Sequence, residues 1–174
     1  MKKRTKHPVD IEIDRLTDSI INTISGDSFA TEIIRLTKVD LKLIKKGDWL
    51  FNWRQEFNEK DHEVYKLTIV DNPKVIQGLV SISDRKDHVY LDLIESAKFN
   101  KGKKKLYLGV SGNLVAFCCK KSFDTGYEGY VAFTSKTKLI THYQETLGAT
   151  HLGGQQMAIT PQAANKLIRK YFKI

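Results

Sequence analysis

Gly109, Ser111, Gly112 and Asn113 stand directly before an apolar run, residues 114–117. Small residues let a backbone turn tightly and let a ligand come close. Leu114, Val115, Cys118 and Cys119 follow at helical spacing. A small-residue loop that opens a helix presents backbone N–H groups at the positive end of the helix dipole, which makes a binding site for phosphate. The same glycines also suit a loop that only opens a core helix, because short glycine motifs are common. Lys101, Lys103, Lys104 and Lys105 lie immediately upstream of the loop. In a turn such lysines are ordinarily solvated; their place beside a phosphate-type loop is what singles them out.

Other reactive residue types are sparse. The two cysteines, Cys118 and Cys119, are adjacent, so they point in different directions on a helix and offer no Cys-x-x-Cys spacing. They read as small buried hydrophobes. The five histidines are scattered without His-x-x-x-His spacing, and no metal site is expected.

The chain has 174 residues, 41% hydrophobic and 28% charged, which fits one globular domain with a proper core. No apolar run approaches the roughly 20 residues that span a bilayer. The basic start, with Lys2, Lys3, Arg4 and Lys6, leads into Asp10, Glu12 and Asp14 rather than an apolar stretch. That is no signal peptide, and a cytoplasmic location is expected. The net charge of +9 favours an anionic partner: nucleic acid, a phosphorylated cofactor or an acidic protein.

Residues 1–10 combine charge and Pro8 without apolar periodicity, and are expected to be a disordered basic tail ahead of a single domain over 11–174. Residues 11–36 carry a partial helical stripe, but their Ile, Thr, Ser and Asn content favours a β-hairpin, 19–24 with 29–36, turning at 25–28. Residues 38–44 read as a helical turn or two with Thr37 as N-cap. Trp49, Phe51, Trp53 and Phe57 form an aromatic cluster suited to the core, a groove lining or the wall of a substrate pocket. Three alternating segments, 64–70, 74–82 and 89–95, are joined by short turns and imply an antiparallel meander. After the loop and its helix come an apolar strand, 130–133, a helix over 138–147 stopped by Gly148, a strand over 152–159, and a last helix that Thr160 and Pro161 start.

That order resembles the GCN5-related N-acetyltransferase (GNAT) family over roughly residues 31–159. Residues 33–41 look like its first strand and helix start. Residues 109–115 look like its acetyl-CoA pyrophosphate loop, Gln/Arg-x-x-Gly-x-Gly/Ala, and residues 142–149 like its late Phe-Tyr-x-x-x-Gly-Phe element. There are departures. Leu106 stands where the family has Gln or Arg, Ser111 where it has the second Gly or Ala, and Lys136 roughly where an Asn is common.

The resemblance implies an α/β fold: a mixed, mostly antiparallel central sheet flanked by helices, here with an N-terminal hairpin extension. It implies acetyl-CoA as cosubstrate, held by Gly109, Val110, Ser111, Gly112 and Asn113 with help from Lys104 and Lys105. It implies transfer of the acetyl group to an amine acceptor by direct attack in a ternary complex. The family's base is often a carboxylate on the fourth strand, for which Glu95 and Asp92 are the candidates. Three positions apart on a strand, they point to opposite faces, so at most one faces the pocket, and Glu95 is favoured. Tyr143 matches the family's tyrosine that protonates the leaving thiolate; the alternative is a core tyrosine with a satisfied hydroxyl. The competing readings are a degenerate GNAT-fold protein that binds CoA, nucleic acid or another anionic partner, and a module that forms a homodimer through its N-terminal hairpin. No nucleic-acid motif is present.

Overall fold

Alternating apolar residues in three consecutive segments build the centre of the fold, and the computed structural model describes residues 7–17 and 19–172 around them. In chain order the elements are β1 (Ile20–Asn22), β2 (Ser28–Phe29), β3 (Thr31–Arg35), a 3-10 turn (Val39–Leu43), α1 (Trp53–Phe57), β4 (His62–Ile69), β5 (Gly78–Asp84), β6 (Val89–Ser96), a second 3-10 turn (Lys98–Asn100), β7 (Tyr107–Leu108), α2 (Val110–Thr125), β8 (Val131–Thr134), a third 3-10 turn (Thr137–Leu139), α3 (Ile140–Leu147), β9 (Thr150–Gly153), β10 (Gln156–Ile159) and α4 (Pro161–Phe172). Seven strands make one sheet in the order β3-β4-β5-β6-β8-β10-β9, and three short ones make a second, β2-β1-β7. In the large sheet only β6 and β8 run parallel. The mixed, mostly antiparallel sheet with flanking helices is the architecture expected from the sequence.

Strand alternation sends side chains to two apolar layers. Tyr65, Leu67, Val80, Leu91 and Ile94 meet α2 and α4 through Leu114, Cys118 and Leu167. Val64, Leu79 and Leu93 meet Leu36, Leu41 and Trp53 on the opposite face. Leu114 has no exposed surface, and burying such a side chain contributes about 1.5–3 kcal/mol.

Within the meander β4–β6 the alternation breaks at Asp92. Ser81 pairs with Leu93 and Ile82 with Leu91, so Asp92 is the extra residue of a β-bulge. A bulge bends its strand and increases the local twist. The consequence appears on the other edge of β6. Its ladder with β8 consists of Val89↔Val131 and Tyr90↔Ala132, while β6 runs on to Ser96. The two strands part, and the split between their ends lies next to the start of α2.

Local signals account for most element ends. Asn52 caps α1 by accepting the Gln55 N–H at 3.1 Å. Gly148, at φ 68°, stops α3 in the left-handed conformation as expected. Thr37 and Asp40 form a capping box: the Thr37 N–H donates to Asp40 Oδ2 at 2.8 Å, and the Asp40 N–H donates back to Thr37 Oγ1 at 3.4 Å. Lys66 Nζ adds an ion pair to Asp40 Oδ1 at 2.7 Å.

Several expectations need correction. The hairpin exists, but its second strand is only β2; residues 31–35 leave it to form an edge of the main sheet. The segment 152–159 is two strands, because Gly153 and Gly154 both take positive φ and turn the chain. The second strand of the meander starts at Gly78 rather than 74, after a turn closed by the Asn72 N–H on the Ile69 carbonyl. Of the expected disordered tail, residues 1–6 lie outside the described residues. Residues 7–10 are described, and Val9 is 5% exposed and bridged in parallel to Ser135.

The Asp40 pair makes a stability prediction. Burial pushes its carboxyl up, but the Lys66 ammonium and the two Thr37 donors together outweigh that and hold it below its ordinary 3.8. A depressed carboxyl contributes stability above the unfolded value and loses it as pH falls through the folded one. Asp40→Asn should therefore cost about 3 kcal/mol in urea denaturation at pH 7, the loss expected when one partner of a buried pair is removed. The deficit should shrink as pH falls below 3.8, where the unfolded carboxyl takes up a proton before the folded one does.

Candidate functional site

The split between β6 and β8 opens into a cleft of about 800 Å³. Its floor is the end of β6, Ile94 to Ser96. Leu50 and Phe51 form one wall, the lysine loop 100–105 another, and the extended residues 10–14 the third. Lys138 and Leu139 close the far side.

The phosphate-type loop sits beside this cleft but is covered. Gly109 takes φ 97°, which glycine allows freely, and is the N-cap of α2. Its N–H donates to Asp14 Oδ1 at 3.1 Å. Ser111 Oγ donates to the Glu12 carbonyl at 2.8 Å. Asn113 Nδ2 donates to the carbonyls of Gly109 (2.7 Å), Thr17 (3.3 Å) and Ser19 (3.3 Å). A Cβ on Gly112 would lie 2.0 Å from the Tyr171 hydroxyl and 3.1 Å from the Arg15 carbonyl. One on Gly109 would lie 2.7 Å from Thr17 Cγ2 and 3.0 Å from the Ser19 carbonyl. The small residues thus admit a close approach, and what approaches is the chain's own Arg15, Thr17 and Ser19, with Tyr171 of α4. Ser111 also reaches the cleft; Val110 is buried beneath the loop.

Val9 forms an isolated parallel bridge to Ser135 in the split, and residues 10–14 continue from it without regular strand pairing. The Val9 N–H donates to the Thr134 carbonyl at 2.6 Å, and the Lys136 N–H donates to the Val9 carbonyl at 3.0 Å. Val9 and Ile13 are 5% and 6% exposed and join the α2 core. The acids between them meet lysines: Asp10 with Lys136 at 2.6 Å and Asp14 with Lys105 at 3.1 Å. His142 Nε2 accepts the Ile13 N–H at 2.9 Å, which leaves the other ring nitrogen as the donor of a neutral imidazole. The alternation of Val9, Ile11 and Ile13 with Asp10, Glu12 and Asp14 is a half-buried strand signal. The basic residues just before it, Lys2 to Lys6, mask that signal in the sequence.

Tyr143 is fully buried, its ring edge-on to Phe133, and its hydroxyl donates to the Ile11 carbonyl at 2.5 Å. Burial, with Asp10 nearby, pushes its phenol well above the ordinary 10, so it keeps its proton. Glu95 is 3% exposed. It accepts from the Leu50 N–H (2.7 Å), the Phe51 N–H (3.1 Å), Trp53 Nε1 (2.9 Å) and Lys101 Nζ (2.6 Å). Such a carboxylate braces the cleft wall. The opposite-face argument for Asp92 and Glu95 fails, because the bulge shifts the parity. Both lie on the α1 side: Asp92 Oδ2 is 3.6 Å from His62 Nδ1, and that nitrogen is 2.7 Å from Glu56 of α1. Only Glu95 of the two lines the cleft.

Lys105 and Lys103 line the cleft, whereas Lys104 is exposed on the loop. Asn100 anchors that loop through the Gln77 side chain at 2.9 Å. In the aromatic cluster Trp53 is core at 1% exposure, and Phe51 reaches the cleft. Cys118 and Cys119 are free and fully buried, and burial raises both thiols, that of Cys119 to about 12. Among the described residues no group of His, Cys, Asp and Glu is arranged to hold a metal ion, and no helix is long and apolar enough to cross a membrane.

No family model matches the sequence, and no curated protein matches it. The fold itself recurs in solved structures. The spermidine N-acetyltransferase of Vibrio cholerae in complex with CoA and spermine matches at a TM-score of 0.53 and 14% identity, over 78% of this chain and 98% of that one. A chain of the KacTA–DNA complex matches at 0.51 and 12% identity, over 79% and 97%. The chain has the fold of the GCN5-related N-acetyltransferases.

The Glu95 brace is open to test. Glu95→Ala leaves the buried Trp53 indole without an acceptor, at about 1–3 kcal/mol, and strands the part-buried Leu50 and Phe51 N–H groups at a smaller cost because water reaches them. Urea denaturation should show a loss of about 2–4 kcal/mol with altered tryptophan fluorescence. Unchanged stability would return Glu95 to the role of a base.

Proposed function

We propose, from this fold and its split sheet, that the protein is an acetyl-CoA-dependent N-acetyltransferase acting on an amine. The observation that carries the reading is the parting of β6 and β8 beside the N-terminus of α2, opening into a lysine-lined cleft of about 800 Å³. That volume lies within the roughly 300–1,000 Å³ range of small-molecule sites. The neighbour from Vibrio cholerae was solved with CoA and spermine, which supports an acyl donor and an amine as the ligand classes. Two reduced, buried cysteines suit a cytoplasmic setting.

The residues fit the donor only in part. The N–H of Gly109 and the hydroxyl of Ser111 are the groups a pyrophosphate needs, and both serve residues 12–14. With those residues withdrawn, the start of α2 and Lys105 together form an anion site. The acceptor nitrogen, as the free amine, attacks the thioester carbonyl carbon. The C–S bond breaks, and the departing sulfur takes a proton from Tyr143, whose phenol is held protonated by burial. The proton lost by the amine passes through water and restores the Tyr143 phenol, since Glu95 is engaged by four donors. Leu50 and Phe51 provide an apolar wall for the acceptor.

The second reading is a GNAT-fold binding protein without catalysis. The occupied loop favours it, as does the net charge of +9. A nucleic-acid ligand would show binding that falls steeply with salt.

The first reading predicts that CoA raises the thermal transition, with about 2.7 kcal/mol of stabilisation at a hundredfold excess over Kd. Tyr143→Phe should lower acetyl transfer by roughly 10²–10⁴-fold, the range for a positioned acid. CoA affinity should be held or slightly improved, because the variant also removes the bond to the Ile11 carbonyl. A folded variant with full turnover would make Tyr143 a core residue.

A further inference from the structure

Residues 9–17 hold every part of the split that a donor would need. We propose that this segment is a displaceable internal occupant of the donor groove, so that the protein is closed to acetyl-CoA until the segment leaves. The proposal rests on the transferase reading and adds its regulation.

Three contacts make the segment and a donor mutually exclusive. The Gly109 N–H is bonded to Asp14 Oδ1, and one N–H cannot serve a second anion at full strength. Thr17 Cγ2 lies so close to Gly109 that an added methyl would collide, and the Arg15 carbonyl stands 3.1 Å from where a methyl on Gly112 would sit; a phosphate is larger. The Tyr143 hydroxyl is spent on the Ile11 carbonyl. The segment also imitates the charge of the ligand it excludes. Asp10, Glu12 and Asp14 recur at every second residue, about 6.6–6.8 Å apart on an extended chain. Two of them sit on Lys136 and Lys105, cations that suit phosphates.

The segment is held by contacts of two kinds. The Asp10–Lys136 pair has side chains 36% and 45% exposed, and an ion pair so exposed is weak and screened by salt. Val9 and Ile13 are anchored in the core and must be withdrawn for the groove to open. If the open form is about one molecule in a hundred, apparent donor affinity falls roughly hundredfold. A partner that captures the withdrawn segment would then switch the enzyme on.

The test locks the segment in place. Val9 lies opposite Ser135, which makes Asp10 and Lys136 neighbours across that bridge. In Asp10→Cys/Lys136→Cys the new cysteines form a disulfide on oxidation, verified by mass, while Cys118 and Cys119 stay buried. CoA binding is measured by calorimetry on both redox forms and on the parent chain. The expected result is at least tenfold weaker binding in the oxidised form, restored by reductant, with no redox effect on the parent. Asp10→Asn, which only weakens the latch, should bind CoA several-fold more tightly than the parent. In the parent, CoA should speed hydrogen exchange at the amides of residues 9–13. Equal binding by the oxidised and reduced forms overturns the gate while leaving the transferase reading intact. Failure of every form to bind CoA overturns both.

Discussion

Buried backbone groups must be paired, and a sheet whose two central strands part leaves some of them without a strand partner. Here the bulge at Asp92 turns β6 away from β8, and the groups so released include the Thr134 carbonyl and the Lys136 N–H. Val9 takes both. The rest of the site follows from that pairing. Once Val9 is set beside β8, the extended chain carries Ile11 to Tyr143, Ile13 to His142, and Asp14 to the open end of α2. Glycines 109 and 112 give that path its clearance.

The features on which the acetyltransferase proposal rests therefore have a second, internal use. A carboxylate at a helix N-terminus is stabilised by the dipole and the terminal N–H groups, as a phosphate is. Asp14 satisfies that site, and the lysines around it are partly neutralised by acids of the same segment. The cleft that remains, with Glu95 bracing one wall, is a preorganised space one side of which is filled by residues 10–14.

Much of the scaffold was legible in the sequence because it rests on local signals. The meander follows from alternation, α2 from its spacing, the end of α3 from Gly148, and the cap at Thr37 from its hydroxyl and Asp40 three residues on. The turn at Gly153 and Gly154 is also a local signal, two adjacent glycines between Leu152 and Gln155. The site was less legible because it rests on distant contacts. Asp92 and Glu95 share a face only because one residue is bulged, which no parity rule reveals. The alternation from Val9 to Asp14 says that the segment is extended, but not that its partner is Lys136 or that its acid reaches Gly109.

The central claim is that residues 9–14 and an acyl donor compete for one place. The most direct measurement is a titration of isotopically labelled protein with CoA, followed at the backbone amides of Gly109 and Ile13. Competition predicts that both amides change together and with the same Kd. Gly109 would exchange a carboxylate for a phosphate acceptor, and Ile13 would lose its bond to His142. Saturable CoA binding that perturbs the lysine loop 101–105 while both amides stay unmoved would contradict it.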